Sequence, residues 1–570
     1  MSSENAPTIS VDDDMPAPAA QATPSELVTE RTTIGEWVWL LLCTAIGGFF
    51  RIVNLAGRPL WADELTTVIT ARRPLAESFT TSQDPQPPMY QLLVRLFSGG
   101  KLPAEDAALS ETVMRMPAAL FGIAIIPAVW WCARTFVGRV GAGVATLLIA
   151  LNPLLIHHSR DARPYVLFVF FAVLSITFFY RLCKQGGKLN LAGYVIATVG
   201  LFLSHYYAMF IVAAQVVYAA ADFLFGGPVR RRRWQVLSAF VLAGLGAAPI
   251  LYLFVRLLTG GMKGSWWIGE PTGLIDSVDA LGDLLGLRAF GVLCVIPLIA
   301  AFWLPGAPPI LKRLGARLVK EGGTSKESKP SPQPSPRGRG GSSTSSVSYW
   351  SSWWFGKERA IFLALVIGFA LFFPVFVSLV YKPGWVLRYS LPVVVPMVIL
   401  GLMYVRACGP MVSAMVLVVL LGMTAPKAMK YRHGEPGLRE AVMEMMNRKG
   451  VQESVVLVDW AFTDDFKLPE AVGVRMYGYT DPVQTVKVKE LDAYVYRTPK
   501  DVGKARFDEI MANPDALLPR EGSWIVCFRT TATAVREFLI RRQRMFNAST
   551  YGMYDDGRMP MYTLFHVAPR

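Results

Sequence analysis

Several short stretches of this chain set carboxylates, guanidinium groups or imidazoles beside long apolar runs. Leu60-Trp61-Ala62-Asp63-Glu64-Leu65 places two carboxylates side by side. A carboxylate held near a dry membrane surface can act as a general base, which makes Asp63 and Glu64 the candidate catalytic residues. The same letters also read as a helix start, with Asp63 as N-cap and Glu64 favoured by the helix dipole. Leu65, Val68, Ile69, Leu75 and Phe79 would give that helix an apolar side for lying on a membrane. Asp84-Pro85-Gln86-Pro87-Pro88-Met89-Tyr90 is stiffened by its prolines, which either fixes Asp84 in space or simply leads into a helix from Met89.

A third stretch is His157-His158-Ser159-Arg160-Asp161-Ala162-Arg163-Pro164-Tyr165. Guanidinium forks grip phosphate oxygens two at a time, so Arg160 and Arg163 could hold a lipid-linked phosphate at the membrane surface. The plainer alternative is a pair of headgroup anchors, with Asp161 pairing one arginine. His205-Tyr206-Tyr207 and Arg388-Tyr389 repeat the pattern of a polar group beside an aromatic ring. His205 lacks the paired spacing of a zinc site, so no metal ligand is assigned. Tyr389 also suits an interfacial aromatic belt.

These residues are positioned by membrane spans. The chain is 53% hydrophobic and only 17% charged over 570 residues, with a mean hydropathy of +0.37. A helix crosses the hydrocarbon with about 20 apolar residues. Runs of that kind lie near 34–54, 113–133, 140–157, 164–181, 190–204, 207–226, 235–256, 284–304, 359–381, 389–405 and 409–428, which makes about eleven spans. The basic loops, Arg134 with Arg139, Arg181 to Lys188, Arg230 to Arg233 and Lys312 to Lys320, all fall on one side by that count. The positive-inside rule makes that side cytoplasmic. The candidate residues then collect on the other side, in 55–112 and in the turns near 157–164, 205–207 and 382–388.

The net charge of +15 sits beside spans, with no basic recognition helix or aromatic RNA-binding motif, so it sets topology and does not imply nucleic acid. There is no Walker loop or nucleophile elbow. The six cysteines show no CxxC spacing, and Cys527 stands alone in the C-terminal region. Residues 1–33 read as a disordered cytoplasmic tail, 34–430 as the membrane domain, 305–357 as a cytoplasmic low-complexity linker and 431–570 as a small extracytoplasmic α/β domain. Strands are expected at Ser454–Trp460, Val472–Tyr479, Ala493–Tyr496, Trp524–Phe528 and Met561–Val567, with helices at 436–449, 500–513 and 532–546.

Taken in order, Trp61-Ala62-Asp63-Glu64, Asp84 to Tyr90, Arg160-Asp161-Ala162-Arg163-Pro164-Tyr165, Ser204-His205-Tyr206-Tyr207 and Arg388-Tyr389 with Pro392 resemble the GT-C type membrane glycosyltransferases. The resemblance is to the bacterial relatives of the protein O-mannosyltransferases and of the lipid A aminoarabinose transferase. It implies an all-α polytopic fold in the cytoplasmic (inner) membrane and a mannosyltransferase-like, inverting transfer from a polyprenyl-phosphate-linked sugar donor. The acceptor would be a protein, glycan or lipid. It implies Asp63 as the base on the acceptor, and arginines on the donor phosphate. Asp84, Gln86, Tyr90, Asp161, Tyr165, His205, Tyr206, Arg388 and Tyr389 would line the substrates. Some relatives carry a basic residue where this chain has Gln86, which moves the expected phosphate contact to Arg160 and Arg163. Some relatives use a divalent metal near these loops and others need none. Two readings from other classes remain beside it: a lipid-linked sugar transporter or flippase, and a non-catalytic cell-envelope assembly protein.

Overall fold

The structure is a computed structural model. It describes residues 31–72, 74, 86–99, 110–259, 357–380, 387–407, 410–429, 438–448, 454–459, 484–487, 522–528, 536, 539–540, 543–553 and 560–568. The expected span 284–304, Leu75, Phe79, Asp84, the strands at 472–479 and 493–496, the helix at 500–513 and most of the linker 305–357 lie outside these residues.

The membrane domain is a helix bundle. Its elements are α1 (Ile34–Ile52), α2 (Ala62–Ala71), α3 (Met89–Phe97), α4 (Glu111–Ala150), α5 (Pro153–His158), α6 (Tyr165–Gln185), α7 (Lys188–Ser204), α8 (Ala208–Leu224) and α9 (Pro228–Thr259). After these come α10 (357–380, with a π turn at Gly368–Phe372), a 3-10 turn at Leu387–Val393, α11 (Val394–Ala407) and α12 (Pro410–Met429). Among the described residues, six helices are long and apolar enough to cross a membrane, and three shorter ones are apolar. Together they take up ten of the expected spans, because α4 accounts for two. Its 40 residues would run roughly 60 Å as one straight helix, about twice the hydrocarbon thickness. The chain instead breaks at Gly138, where φ is 73° and ψ −170°. That is a left-handed backbone that a residue with a Cβ adopts only at a cost.

α6 lies at the centre of the bundle, buried over 78% of its most apolar stretch, against 33% for α1 and for α9. Outer helices instead expose Val38, Leu41, Leu189, Leu245 and Val418, an apolar girdle suited to lipid. Inside it, α6, α7 and α8 share a polar ladder. Tyr194 donates to Gln215 Oε1 (2.9 Å), Gln215 Nε2 donates to Ser175 Oγ (3.0 Å), and Ser175 meets Thr198 Oγ1 (3.0 Å). With no water to serve these groups in lipid, each must find its partner on a neighbouring helix.

One end of the bundle gathers the basic loops. Arg134 and Arg139 reach Glu36 at the start of α1. Lys184 sits between Glu358 (2.5 Å) and Asp222 (3.4 Å), joining α6, α8 and α10. Arg406 donates to the Val137 carbonyl at 3.1 Å, beside the Gly138 break. The candidate residues lie at the opposite end, where α1 and α7 finish and α2, α6 and α11 begin.

The C-terminal region contains α13 (Leu438–Arg448) and a five-stranded mixed sheet in the order β2-β1-β3-β5-β4. β1 (Ser454–Asp459) pairs in parallel with β2 (Gln484–Lys487) and β3 (Ser523–Phe528). β5 (Pro560–Val567) runs antiparallel to β3 and to β4 (Phe546–Met553). β1, β3, β5 and α13 match expectation, whereas β2 and β4 were not anticipated.

Candidate active site at the helix ends around α2

The site is built on the short helix α2. Its N-cap is Trp61, so Asp63 is not the cap but stands in the first turn, and Glu64 occupies the third helical position. There Glu64 turns back to accept from the Trp61 N–H at 3.2 Å. Its carboxylate is fully buried and filled by donors. Arg115 reaches it twice, Nε to Oε1 at 2.8 Å and Nη2 to Oε2 at 2.6 Å, and the Ala162 N–H donates to Oε1 at 2.7 Å. Arg115 directs its remaining donors to the carbonyls of Leu55, Arg58 and Pro59. Glu64 therefore fixes the loop before α2 and the turn after α5, with no oxygen left for a reacting proton.

Asp63, one residue earlier, points elsewhere. Its side chain is 30% exposed, and Oδ2 lies 3.1 Å from Arg388 Nη2. Arg163 Nη1 donates to the Asp63 carbonyl and to Thr67 Oγ1, both at 3.2 Å. Two guanidinium groups thus meet at Asp63: Arg388, from the 3-10 turn, on its accessible carboxylate, and Arg163, from the start of α6, on its backbone carbonyl. Arg388 is also stacked near two rings, 5.7 Å from the Trp61 centroid and 5.5 Å from that of Tyr165, an arrangement that attracts a cation.

Arg160, expected on a phosphate, is not brought into this group. Its guanidinium turns to the end of α1 and donates to the carbonyls of Phe50 (3.2 Å), Val53 and Asn54 (2.8 Å). Helix C-termini leave carbonyls unpaired and carry partial negative charge, and a buried arginine answers both. Arg51 does the same for α4, donating to Ala150 (2.9 Å) and Ile149 (3.2 Å). α4 comes close at this point: a Cβ on Gly122 would lie 2.2 Å from Ser159 Oγ and 3.2 Å from Arg51 Cδ. Only glycine leaves room for the turn that delivers Arg163.

Asp161 is buried and pairs with Arg58 through Oδ1, while His158 Nδ1 donates to Oδ2 at 2.9 Å. Burial alone would raise the Asp161 carboxyl, but His157, Arg58 and His158 outweigh it and hold it well below the usual range. A carboxyl lowered by folding adds stability above its unfolded value, about 3.9, and loses it as pH falls through the folded value. The melting-temperature gap between the parent and Asp161→Asn is therefore expected to be widest near neutrality and to close in acid. A gap that stays constant down the acid limb would contradict this pairing.

His157, His158 and Asp161 are also the one group among the described residues with three metal-type donors, all within 4.8 Å of one another. The donor types suit zinc. However, both Asp161 oxygens are engaged, and Arg58 already brings the positive charge that a metal would bring. The residues do not fit a resident metal, and no chemical step is derived through one.

His205 closes the aromatic side. Its ring stacks on Phe168 at 4.9 Å and lies 4.7 Å from Tyr389, 5.2 Å from Tyr207 and 6.4 Å from Tyr165. Burial, then Arg163 and Arg388, push the imidazole down to about 3. It stays neutral at physiological pH, with Nδ1 accepting from the Tyr207 N–H at 3.2 Å. Tyr206 faces away, 5.0 Å from Phe254 of α9. Tyr90 is a buried strut whose hydroxyl donates to the Met114 carbonyl at 2.8 Å. Gln86 is buried, and its Oε1 has no hydrogen-bond partner among the described residues.

The structure thus brings together Asp63, Arg163, Tyr165, His205, Arg388 and Tyr389. It assigns Glu64, Tyr90, Arg160 and Asp161 to the frame. Arg51, Arg58 and Arg115 were missed, although an arginine within or beside an apolar run is itself a signal in a membrane protein.

Residues 85–255 match the family described as dolichyl-phosphate-mannose-protein mannosyltransferase. No curated protein matches the chain. Among solved structures, the chain is similar to ArnT from Cupriavidus metallidurans bound to undecaprenyl phosphate, with 14% identity and a TM-score of 0.49 over 94% of this chain and 98% of that one. It is also similar to the Archaeoglobus fulgidus oligosaccharyltransferase in complex with Zn and sulfate, with 11% identity and a TM-score of 0.44 over 92% and 72%. A second structure from Archaeoglobus fulgidus, AglB with an inhibitory peptide and a dolichol-phosphate, gives 12% identity and a TM-score of 0.41 over 94% and 74%. The family match over 85–255 takes in the motifs around 85–90, 160–165 and 204–207 and leaves those at 61–64 and 388–392 outside it; together, motifs and match identify the membrane domain as resembling the GT-C type membrane glycosyltransferases.

Proposed function

We propose that the protein transfers a sugar from a polyprenyl-phosphate donor to an acceptor on the extracytoplasmic face. The observation that carries this reading is the accessible Asp63 residue, with Arg388 on its carboxylate and Arg163 on its backbone carbonyl. Such a transfer needs a base for the acceptor and positive charge for the departing phosphate, within reach of one sugar ring. In the step, the acceptor oxygen attacks the anomeric carbon while its proton passes to Asp63. The bond from that carbon to the phosphate oxygen breaks, and the phosphate leaves with the electron pair. Attack opposite the leaving group inverts the anomeric centre. Arg163 and Arg388 meet the charge that grows on the phosphate, and the buried rings of Tyr165, His205 and Tyr389 back the site.

The test uses purified protein in nanodiscs with undecaprenyl-phosphate-linked sugars, mannose among them, and mass spectrometry of the lipid phosphate released. Envelope glycans from a deletion strain supply the acceptor class to try. Release of undecaprenyl phosphate that requires an acceptor supports the reading, and no release with any donor would refute it. EDTA is expected to leave the rate unchanged, because Arg58 already pairs with Asp161; a chelator-sensitive rate restored by zinc or manganese would reverse that. The orientation follows from the basic loops and is read with membrane-impermeant thiol reagents. Cysteines placed at Arg231 and at Glu453 should label from opposite sides of the membrane.

A further inference from the structure

The Asp63–Arg388 pair poses a problem for a transferase, because the base and a phosphate-binding cation are occupied with each other. Asp63 Oδ2 lies 3.1 Å from Arg388 Nη2, and the carboxylate is the more open partner, 30% exposed against 11% for the guanidinium. An oxygen engaged in that contact is poorly placed to accept a proton from an acceptor. Arg163 is anchored differently, on the Asp63 carbonyl and Thr67 Oγ1, neither of which carries a charge. Trp61 and Tyr165 flank Arg388 with their rings. Their attraction does not depend on which anion the guanidinium faces, so the cation can exchange one anion for another without losing its seat.

We infer that Arg388 alternates between two anions: it holds Asp63 while the donor site is empty, and turns to the donor phosphate when that arrives. The exchange frees the Asp63 carboxylate to take the acceptor's proton. This inference rests on the reading of the site as a polyprenyl-phosphate-dependent transferase. It makes the order of events compulsory, with the donor arming the base. The phosphate gains a full negative charge as its bond to the sugar breaks, so the pull on Arg388 is strongest late in the step, where binding accelerates reaction most. After the lipid phosphate leaves, Arg388 returns to Asp63.

The exchange can be read without knowing the acceptor. Undecaprenyl phosphate binding is measured on the full-length protein in nanodiscs, across a double-mutant cycle of Asp63→Asn and Arg388→Gln. In the parent, the phosphate must compete with Asp63 for Arg388. Asp63→Asn is therefore expected to tighten binding about threefold to fivefold, the range for a partly exposed ion pair. Arg388→Gln is expected to weaken it by about thirtyfold or more. With Arg388→Gln already present, Asp63→Asn should change binding by less than about twofold, since nothing is left to compete for. If Arg388→Gln does not insert stably, Arg388→Lys replaces it; the shorter ammonium should shrink the gain from Asp63→Asn below that in the parent. A gain of equal size in both backgrounds would reflect simple charge repulsion and would overturn the exchange, as would no gain in the parent. A parent that binds undecaprenyl phosphate but is indifferent to Arg388→Gln loses the exchange alone. A parent that binds none loses the transferase reading itself.

Discussion

Replacing Asp63 by asparagine is expected to slow sugar transfer by about 100- to 10,000-fold, the usual contribution of a positioned general base. The substitution keeps the size and the helix position but removes the negative charge, and with it the basicity needed to take the proton. Folding should survive, because the Asp63 side chain is partly exposed and the α2 entry is tied down through Glu64. Single-turnover transfer in nanodiscs, with undecaprenyl phosphate binding measured on the same sample, separates chemistry from substrate capture. Asp63→Glu is a sharper probe still. It retains the carboxylate but carries it one methylene further, past the 3.1 Å contact with Arg388, and should recover only part of the rate. Near-parental transfer by Asp63→Asn would move the base elsewhere and remove the central role given to α2.

The second large effect falls on stability. Arg115→Ala leaves the fully buried Glu64 carboxylate without its bidentate partner and strands the carbonyls of Leu55, Arg58 and Pro59. Breaking one side of a buried ion pair costs about 3–5 kcal/mol. The loss should appear as a marked drop in melting temperature in detergent, with poor yield of folded protein. Removing both charges together, as Glu64→Leu with Arg115→Met, should be milder than Arg115→Ala alone, because no isolated charge then remains in the interior. Recovery should be incomplete, since the three loop carbonyls and the Ala162 N–H still lack partners. If the single and double variants are equally destabilised, the Glu64–Arg115 pair is not what holds the loop.

These two variants touch adjacent positions, and the contrast shows how far letters alone can lead. Asp63 and Glu64 look alike in the sequence as candidate bases. What separates them is that the helix begins at Ala62, which sends the third-position Glu64 back into the cap and leaves Asp63 facing outward. Arg160 and Arg163 were equally matched as phosphate ligands, yet the turn between α5 and α6 sends their guanidinium groups to α1 and α2 respectively. The spans were legible because an apolar run long enough to cross a bilayer has few other uses. Pairings such as Arg58 with Asp161 or Asp63 with Arg388 were not, because a single sequence carries no record of which distant side chains meet. In the C-terminal sheet, β1 and β3 announced themselves as apolar runs. β2 (QTVK) and β4 (FNASTYGM) are too short or too polar to stand out from a helix end or a loop.

The Asp63–Arg388 contact also bears on how the protein is made. Its partners stand at opposite ends of the membrane domain in sequence, at positions 63 and 388. A ribosome adding 5 to 20 residues per second would need roughly 15 s to 1 min to travel from one to the other. Throughout that interval the nascent chain would present the carboxylate beside lipid without its counter-ion, and Tyr389 would be missing from the aromatic wall behind it. The half-made protein thus has Asp63 and Arg163 in place but lacks Arg388, the second cation of the proposed phosphate site. Insertion of the late helices would bring the missing parts together, so the site would be completed only as synthesis of the membrane domain ends. On the proposed reading, a growing chain whose early helices already face lipid would carry an incomplete donor site until its late helices are in place.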